Sequence, residues 1–196
     1  GAPAEMALID LEAREVHAKV VYFGPELSGK TTTLRAIATG VPPEARGDLQ
    51  SIASESARTI FSDSLPVDFG VRFGLRFLWH LYTVPGQPRS DGPRAAVLQG
   101  ADGVVFVADT VPLRQSENLA SFAELQALLG AQGKRLADLA FVLQGNKSDL
   151  PGAVGTRHVA ALLGVTDRPT FATSAVNGAG VFDALRDISR QVAQRL

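Results

Sequence analysis

Val20-Val21-Tyr22-Phe23-Gly24-Pro25-Glu26-Leu27-Ser28-Gly29-Lys30-Thr31-Thr32 is the stretch that decides the fold. Gly24 to Thr31 fit G-x-x-x-x-G-K-[ST] with no mismatch. The apolar run before the loop reads as a strand. Thr32-Thr33-Leu34-Arg35-Ala36-Ile37-Ala38 after it reads as a helix. Strand, glycine-bounded turn and helix are the setting a phosphate-binding loop requires. There the loop N–H groups and the helix N-terminus face a polyphosphate together. Gly24 and Gly29 lack Cβ, so the backbone can turn tightly and approach the phosphates. Lys30 would reach the β- and γ-phosphates as a point charge, and the Thr31 hydroxyl would ligate Mg²⁺. Glu26, Leu27, Ser28 and Thr32 complete the loop. A Gly-rich turn with a solvated lysine would not account for spacing, context and Lys-Thr together.

Working outward, Leu139-Ala140-Phe141-Val142-Leu143-Gln144 looks like a buried strand, and Asn146-Lys147-Ser148-Asp149 follows it. A carboxylate at Asp149 can accept both N1–H and the exocyclic amine of guanine, a pair adenine does not offer. Asn146 would brace the loops, and the Lys147 stem would lie over the base. Alone, N-K-S-D is a common polar turn; after a strand and downstream of a phosphate loop it selects a base. Thr173-Ser174-Ala175 supplies a third piece, in which the Ala175 N–H would contact the base carbonyl.

The rest of the chain alternates. Strands are expected near 18–24, 59–67, 74–84, 103–108, 139–145 and 169–173, and helices near 30–40, 91–99, 115–131, 154–164 and 178–194. Gly103-Val104-Val105-Phe106-Val107-Ala108 has the continuous apolar character of a central parallel strand. Phe182, Leu185, Ile188, Ser189 and Val192 follow helical rhythm. This is an α/β class, a P-loop NTPase with a mostly parallel sheet of six strands and helices on both faces. Residues 1–16 would supply a seventh strand. Ligands belong at the strands' carboxyl ends, where all three motif loops fall.

Composition narrows the partners. The chain has 196 residues and a formal net charge of −1, so it carries no basic footprint for nucleic acid or an anionic membrane. It has no cysteine, which fits a reducing, cytoplasmic setting and removes prenylation and palmitoylation. Glu5 stands where the myristoylation pattern needs Ser or Thr, and no apolar run approaches the roughly 18 residues of a membrane span. Gly1-Ala2-Pro3 lacks an initiator Met and reads as a leftover of expression. No direct lipid anchor is expected, so any recruitment to a membrane or pole would fall to another protein.

Taken together, these residues resemble a Ras-like small GTPase over nearly the whole family length. The nearer resemblance is to the bacterial mutual gliding-motility subfamily, the MglA-type polarity GTPases. It is carried by Val21-Tyr22-Phe23-Gly24-Pro25, Leu27-Ser28-Gly29-Lys30-Thr31-Thr32, Arg58-Thr59, Leu65-Pro66 and His80-Leu81-Tyr82-Thr83-Val84-Pro85-Gly86-Gln87. The resemblance implies one G domain over 1–196, with GTP, GDP and Mg²⁺ as ligands. It places a first switch loop between Pro42 and Leu65. Thr59 would complete Mg²⁺ coordination, its alternative being an ordinary strand residue. Arg58 would be an arginine finger supplied in cis, its alternative a solvated charge. Gly86 would donate its N–H to the γ-phosphate, and Gln87 would orient the attacking water. Implied partners are a homodimeric Roadblock-fold GTPase-activating protein and response-regulator or motility-complex effectors at a cell pole.

Two residues depart from the wider pattern. Thr83 stands where most Ras-like proteins have the Asp that orients Mg²⁺-bound water, with Asp63 and Asp109 as candidate substitutes. Glu26 stands where glycine is normal. Its carboxylate would crowd Gln87 and repel the γ-phosphate unless it turned to solvent or paired with Arg58. Slow intrinsic turnover is therefore expected. Three functions fit these residues: a GTP-hydrolysing switch, a pseudo-GTPase scaffold, and a P-loop ATPase or nucleotide kinase, the last opposed by Asp149. His17, His80 and His158 lack ligand spacing and read as surface or packing residues. The alternating stretch from Leu65 to Trp79 reads as a hairpin whose apolar surplus serves the core or a partner face.

Overall fold

β2 (Glu15–Phe23) is the strand from which the sheet is built. Its burial alternates at the start and becomes continuous from Val20, so its upper half is covered on both faces. The computed structural model describes residues 7–53, 61–86 and 91–196. The other strands are β1 (Leu8–Asp10), β3 (Gln50–Ala53), β4 (Phe61–Arg72), β5 (Leu75–Thr83), β6 (Gly103–Asp109), β7 (Ala140–Asn146) and β8 (Thr170–Ala172). The helices are α1 (Lys30–Gly40), α2 (Asp91–Leu98), α3 (Gln115–Ala131), α4 (Thr156–Leu163) and α5 (Val181–Gln194).

The order across the sheet is β3-β4-β5-β2-β6-β7-β8, with β1 added to β2. β2 pairs in parallel with β5 and β6, β6 with β7, and β7 with β8; β4 runs antiparallel to β5. The expected α/β architecture and mostly parallel sheet are observed, but among the described residues the strand number is eight rather than six or seven. One addition, β1, is the strand anticipated in the N-terminal segment. It pairs with Glu15–His17, on the part of β2 below the Val20–Phe23 stretch that pairs with β6. The other, β3, lies inside the expected switch loop and pairs antiparallel with Phe61–Ser64.

Alternation sends side chains to two cores. Val20 and Tyr22 of β2 and Val105 and Val107 of β6 pack with Leu34 and Ile37 of α1 and Leu185, Ile188 and Val192 of α5. Val21, Phe23, Val104 and Phe106 pack on the opposite face with Phe122, Leu125 and Leu129 of α3 and Val159 and Leu163 of α4. Successive residues of one strand therefore hold helices on both sides. Gly103 lets α5 close on β6, since a Cβ there would stand 3.0 Å from Val192 and 3.1 Å from Ile188.

The β4–β5 pair is the expected hairpin. Phe73 and Gly74 both have positive φ, 53° and 75°, the conformation of a two-residue turn that matches strand twist. Phe73 at the tip is 99% exposed, while Phe69 and Phe77 pack against the core. His17 and His80 do come together. The ring nitrogens His17 Nδ1 and His80 Nε2 are 2.8 Å apart, and Glu15 Oε2 lies 2.8 Å from His17 Nε2, tying β2 to β5. His158 lies apart from them, on α4.

Candidate active site

The phosphate loop joins β2 to α1, and its glycines are required by contact as well as by dihedral. Gly24 has φ 153°, and a Cβ there would fall 2.2 Å from the Val107 carbonyl oxygen. Gly29 has φ 106°, and a Cβ there would fall 2.1 Å from Asn146 Nδ2. Leu27 also takes a left-handed φ, 63°, with its side chain in solvent. Ser28 is fully buried and its hydroxyl has no partner among the described residues.

Lys30 is buried and folds back on the loop, donating to the Gly24 and Pro25 carbonyls at 2.8 and 2.7 Å. Its pKa is lowered to about 7, first by burial and then by the Arg94 charge, with Glu26 opposing. Glu26, Leu27, Gly29, Lys30, Thr31, Thr32, Val84 and Gly86 line one cleft of about 290 Å³. Gly86 sits close over the loop: a Cβ there would lie 2.9 Å from Glu26 Cα and 3.2 Å from Lys30 Nζ. Glu26 is exposed, yet it lines this cleft and its charge acts on Lys30.

The vacancy left by Thr83 is filled from the next strand. Asp63 on β4 is buried, and its Oδ2 accepts the Thr31 hydroxyl proton at 2.5 Å. Thr83 supports it twice, accepting from Asp63 N–H at 2.9 Å and donating to Oδ2 at 3.2 Å. Asp63 Oδ1 accepts from Ser51 of β3 at 2.8 Å. A hydroxyl that ligates a cation keeps its proton and needs an acceptor, and Asp63 is placed to be one. This all-oxygen set suits Mg²⁺: Thr31 would hold it, with Asp63 orienting the ligand, and the ion would supply charge neutralisation at the phosphates. Asp109, the other candidate substitute, faces Lys147 instead, 2.6 Å from its Nζ.

On the opposite side of the phosphate loop, Asn146 ties the segment after β7 to its neighbours. Asn146 is buried and joins three loops: Nδ2 donates to the Ser28 carbonyl at 2.8 Å, while Oδ1 accepts from Thr173 Oγ1 at 3.1 Å and Ala175 N–H at 2.9 Å. The Ala175 N–H expected to meet the base is thus given to Asn146, whose amide oxygen can accept two donors. The Ser174 hydroxyl is buried without a partner among the described residues, and Asp149 stands exposed beyond Lys147. Arg58, Thr59 and Gln87 lie outside the described residues. Sequence reading did not single out Arg94 of α2. It is buried, paired with Glu124 of α3, and donates to the Pro85 carbonyl at 3.2 Å, fixing the start of the Pro85-Gly86 turn.

The Gly24–Thr31 loop, the Thr31–Asp63 oxygens and the segment that begins at Asn146 therefore gather at the carboxyl ends of the parallel strands. Residues 5–192 match the ADP-ribosylation factor family (Arf). The chain is a small GTPase of this family. It is 40% identical over 191 residues to the mutual gliding-motility protein MglA of Myxococcus xanthus (strain DK1622), covering 97% of this chain and 98% of that protein. It is 24% identical to ADP-ribosylation factor-like protein 2 of Drosophila melanogaster, over 95% of this chain and 93% of that one. It is 25% identical to ADP-ribosylation factor-like protein 6 of Caenorhabditis briggsae, over 90% and 87%. As a small GTPase it binds GTP and GDP with Mg²⁺ and hydrolyses GTP. Among the described residues no helix is long and apolar enough to cross a membrane.

Proposed function

We propose that this GTPase is a switch for bacterial cell polarity or gliding motility, its GTP state being the one that effectors bind. The observation that carries the switch is the shared carboxylate. Asp63 holds Thr31 in the phosphate site and Ser51 on β3, so the metal site and the first switch segment hang on one group. The motility role follows the 40% identity to MglA. Thr59 would join Thr31 at the metal. Gln87 would orient the attacking water, and Arg58 would offset charge developing on the transferred phosphoryl group. The activator is a homodimeric Roadblock-fold protein, the effectors are response-regulator or motility-complex proteins, and recruitment to a pole is left to them. Residues 1–196 act as one G domain.

Glu26 makes intrinsic turnover slow, because it lines the cleft where the γ-phosphate must sit and brings a negative charge that acts on Lys30. Phosphate release from GTP, with and without a Roadblock-fold activator, tests this reading. Slow basal release that rises with the activator, and a faster basal rate in Glu26→Gly, are expected. Fast release from the unassisted wild type would remove the role given to Glu26. No release even with the activator would leave a nucleotide-binding scaffold.

A further inference from the structure

Asp109 closes β6 and is fully buried, although it is a carboxylate at the edge of the nucleotide site. Everything around it fixes it in place. Its N–H is accepted by Asn118 Oδ1 at 2.9 Å, and its Oδ1 accepts from Val111 N–H at 3.0 Å. Its carbonyl takes protons from Gln115 and Asn118 side chains at 2.9 and 2.8 Å. The remaining oxygen, Oδ2, faces two cations: Lys147 Nζ at 2.6 Å and Arg114 Nε at 3.7 Å.

Those cations lead in two directions. Lys147 belongs to the base-reading segment and holds a left-handed backbone, φ 65°, which a non-glycine residue keeps only under constraint. Arg114 ends the turn Pro112–Arg114 and donates through Nη2 to the Glu26 carbonyl in the phosphate loop at 2.7 Å. Its Nη1 also lies 3.4 Å from Glu117.

We infer that Asp109 is a positioning residue for guanine nucleotide: it holds Lys147 against the base and Arg114 against the phosphate loop, so that both ends of the nucleotide are gripped through one buried carboxylate. This rests on the guanine-nucleotide reading of the site. A charge-assisted bond of this kind contributes enough that its loss should be visible in nucleotide release.

The test is the release rate of fluorescent methylanthraniloyl-GDP from the Mg²⁺-loaded full chain. Asp109→Asn should speed release about tenfold or more, and Asp109→Glu should recover part of the loss. Lys147→Met should also speed release, and adding Asp109→Asn to it should cost much less than the product of the two single effects. Arg114→Met, at a partly exposed side chain, keeps the test available should Asp109→Asn not fold; it too should release faster. A wild type that fails to hold GDP would overturn the nucleotide site itself. A wild type that holds GDP while Asp109→Asn or Arg114→Met releases it unchanged, or while the Asp109 and Lys147 effects multiply in full, would overturn this role alone.

Discussion

Asp63 and Thr83 face one another on adjacent antiparallel strands and are bonded to each other, with the Asp63 carboxylate also holding the Thr31 hydroxyl. Asp63→Ala should lower GTP turnover at least about tenfold and raise the Mg²⁺ concentration needed for half-maximal rate, as expected when a charge-assisted acceptor is lost. Adding Thr83→Asp to it should restore part of both. Phosphate release across a Mg²⁺ titration measures this; an Asp63→Ala protein with unchanged Mg²⁺ response would contradict it. Lys30 makes a second prediction. Its pKa in the free protein is about 7, because burial disfavours the charged form. A bound polyphosphate favours that form and raises the pKa again. Above about pH 7, binding must therefore take up a proton, and affinity should fall by up to about tenfold per pH unit. Calorimetry in buffers of different ionisation enthalpy would count the proton; no uptake at pH 8 would contradict it. In the free fold the same shift has a sign: the burden of burying Lys30 is fully present below about pH 7 and eases as pH rises toward the unfolded value.

β3 is four residues long, and a side-chain bond from Ser51 to Asp63 helps to fasten it. Ser51→Ala should weaken that attachment by about 1 kcal/mol, the usual net worth of such a bond. Hydrogen exchange over residues 50–53 should then quicken while β6 and β7 keep their protection; unchanged exchange would mean the backbone ladder alone suffices. This strand also shows where sequence stops being legible. β6 and β7 were readable because each is a continuous run of buried residues, β7 with a motif directly after it. Gln50-Ser51-Ile52-Ala53 has no such pattern, and its partner lies across a chain segment with no periodicity of its own. The same holds for Asp63 and Asp109. Both were visible as acidic residues near the right strands, but which one met Thr31 depends on cross-strand register. The glycines, Lys30, Thr31 and Asn146 were legible because their spacing is local. Arg58, Thr59 and Gln87 fall outside the described residues and stay on resemblance.

Across the whole molecule, the two cores are joined through the sheet, and α5 is the broad support of one of them. Ile188 is fully buried against β6, so Ile188→Ala should cost about 2–5 kcal/mol and lower the melting temperature by several degrees. Because GDP binds only the folded chain, saturating GDP should recover part of that loss, and a thermal melt with and without nucleotide would show it. A melting temperature equal to wild type would mean α5 is dispensable to the core. The arrangement also separates duties. Rigid packing surrounds β6, β7 and α5, whereas β3, β4 and the Gly86 turn carry the contacts that meet the phosphate cleft.

The carboxylate on β4 bears on how such enzymes are recognised. Counted column by column, this chain lacks an acidic group before Pro85-Gly86; counted in space, a carboxylate stands one rung across the sheet, bonded to the hydroxyl at that place. Kinship judged by position would file it among the defective, and chemistry judged by proximity would not.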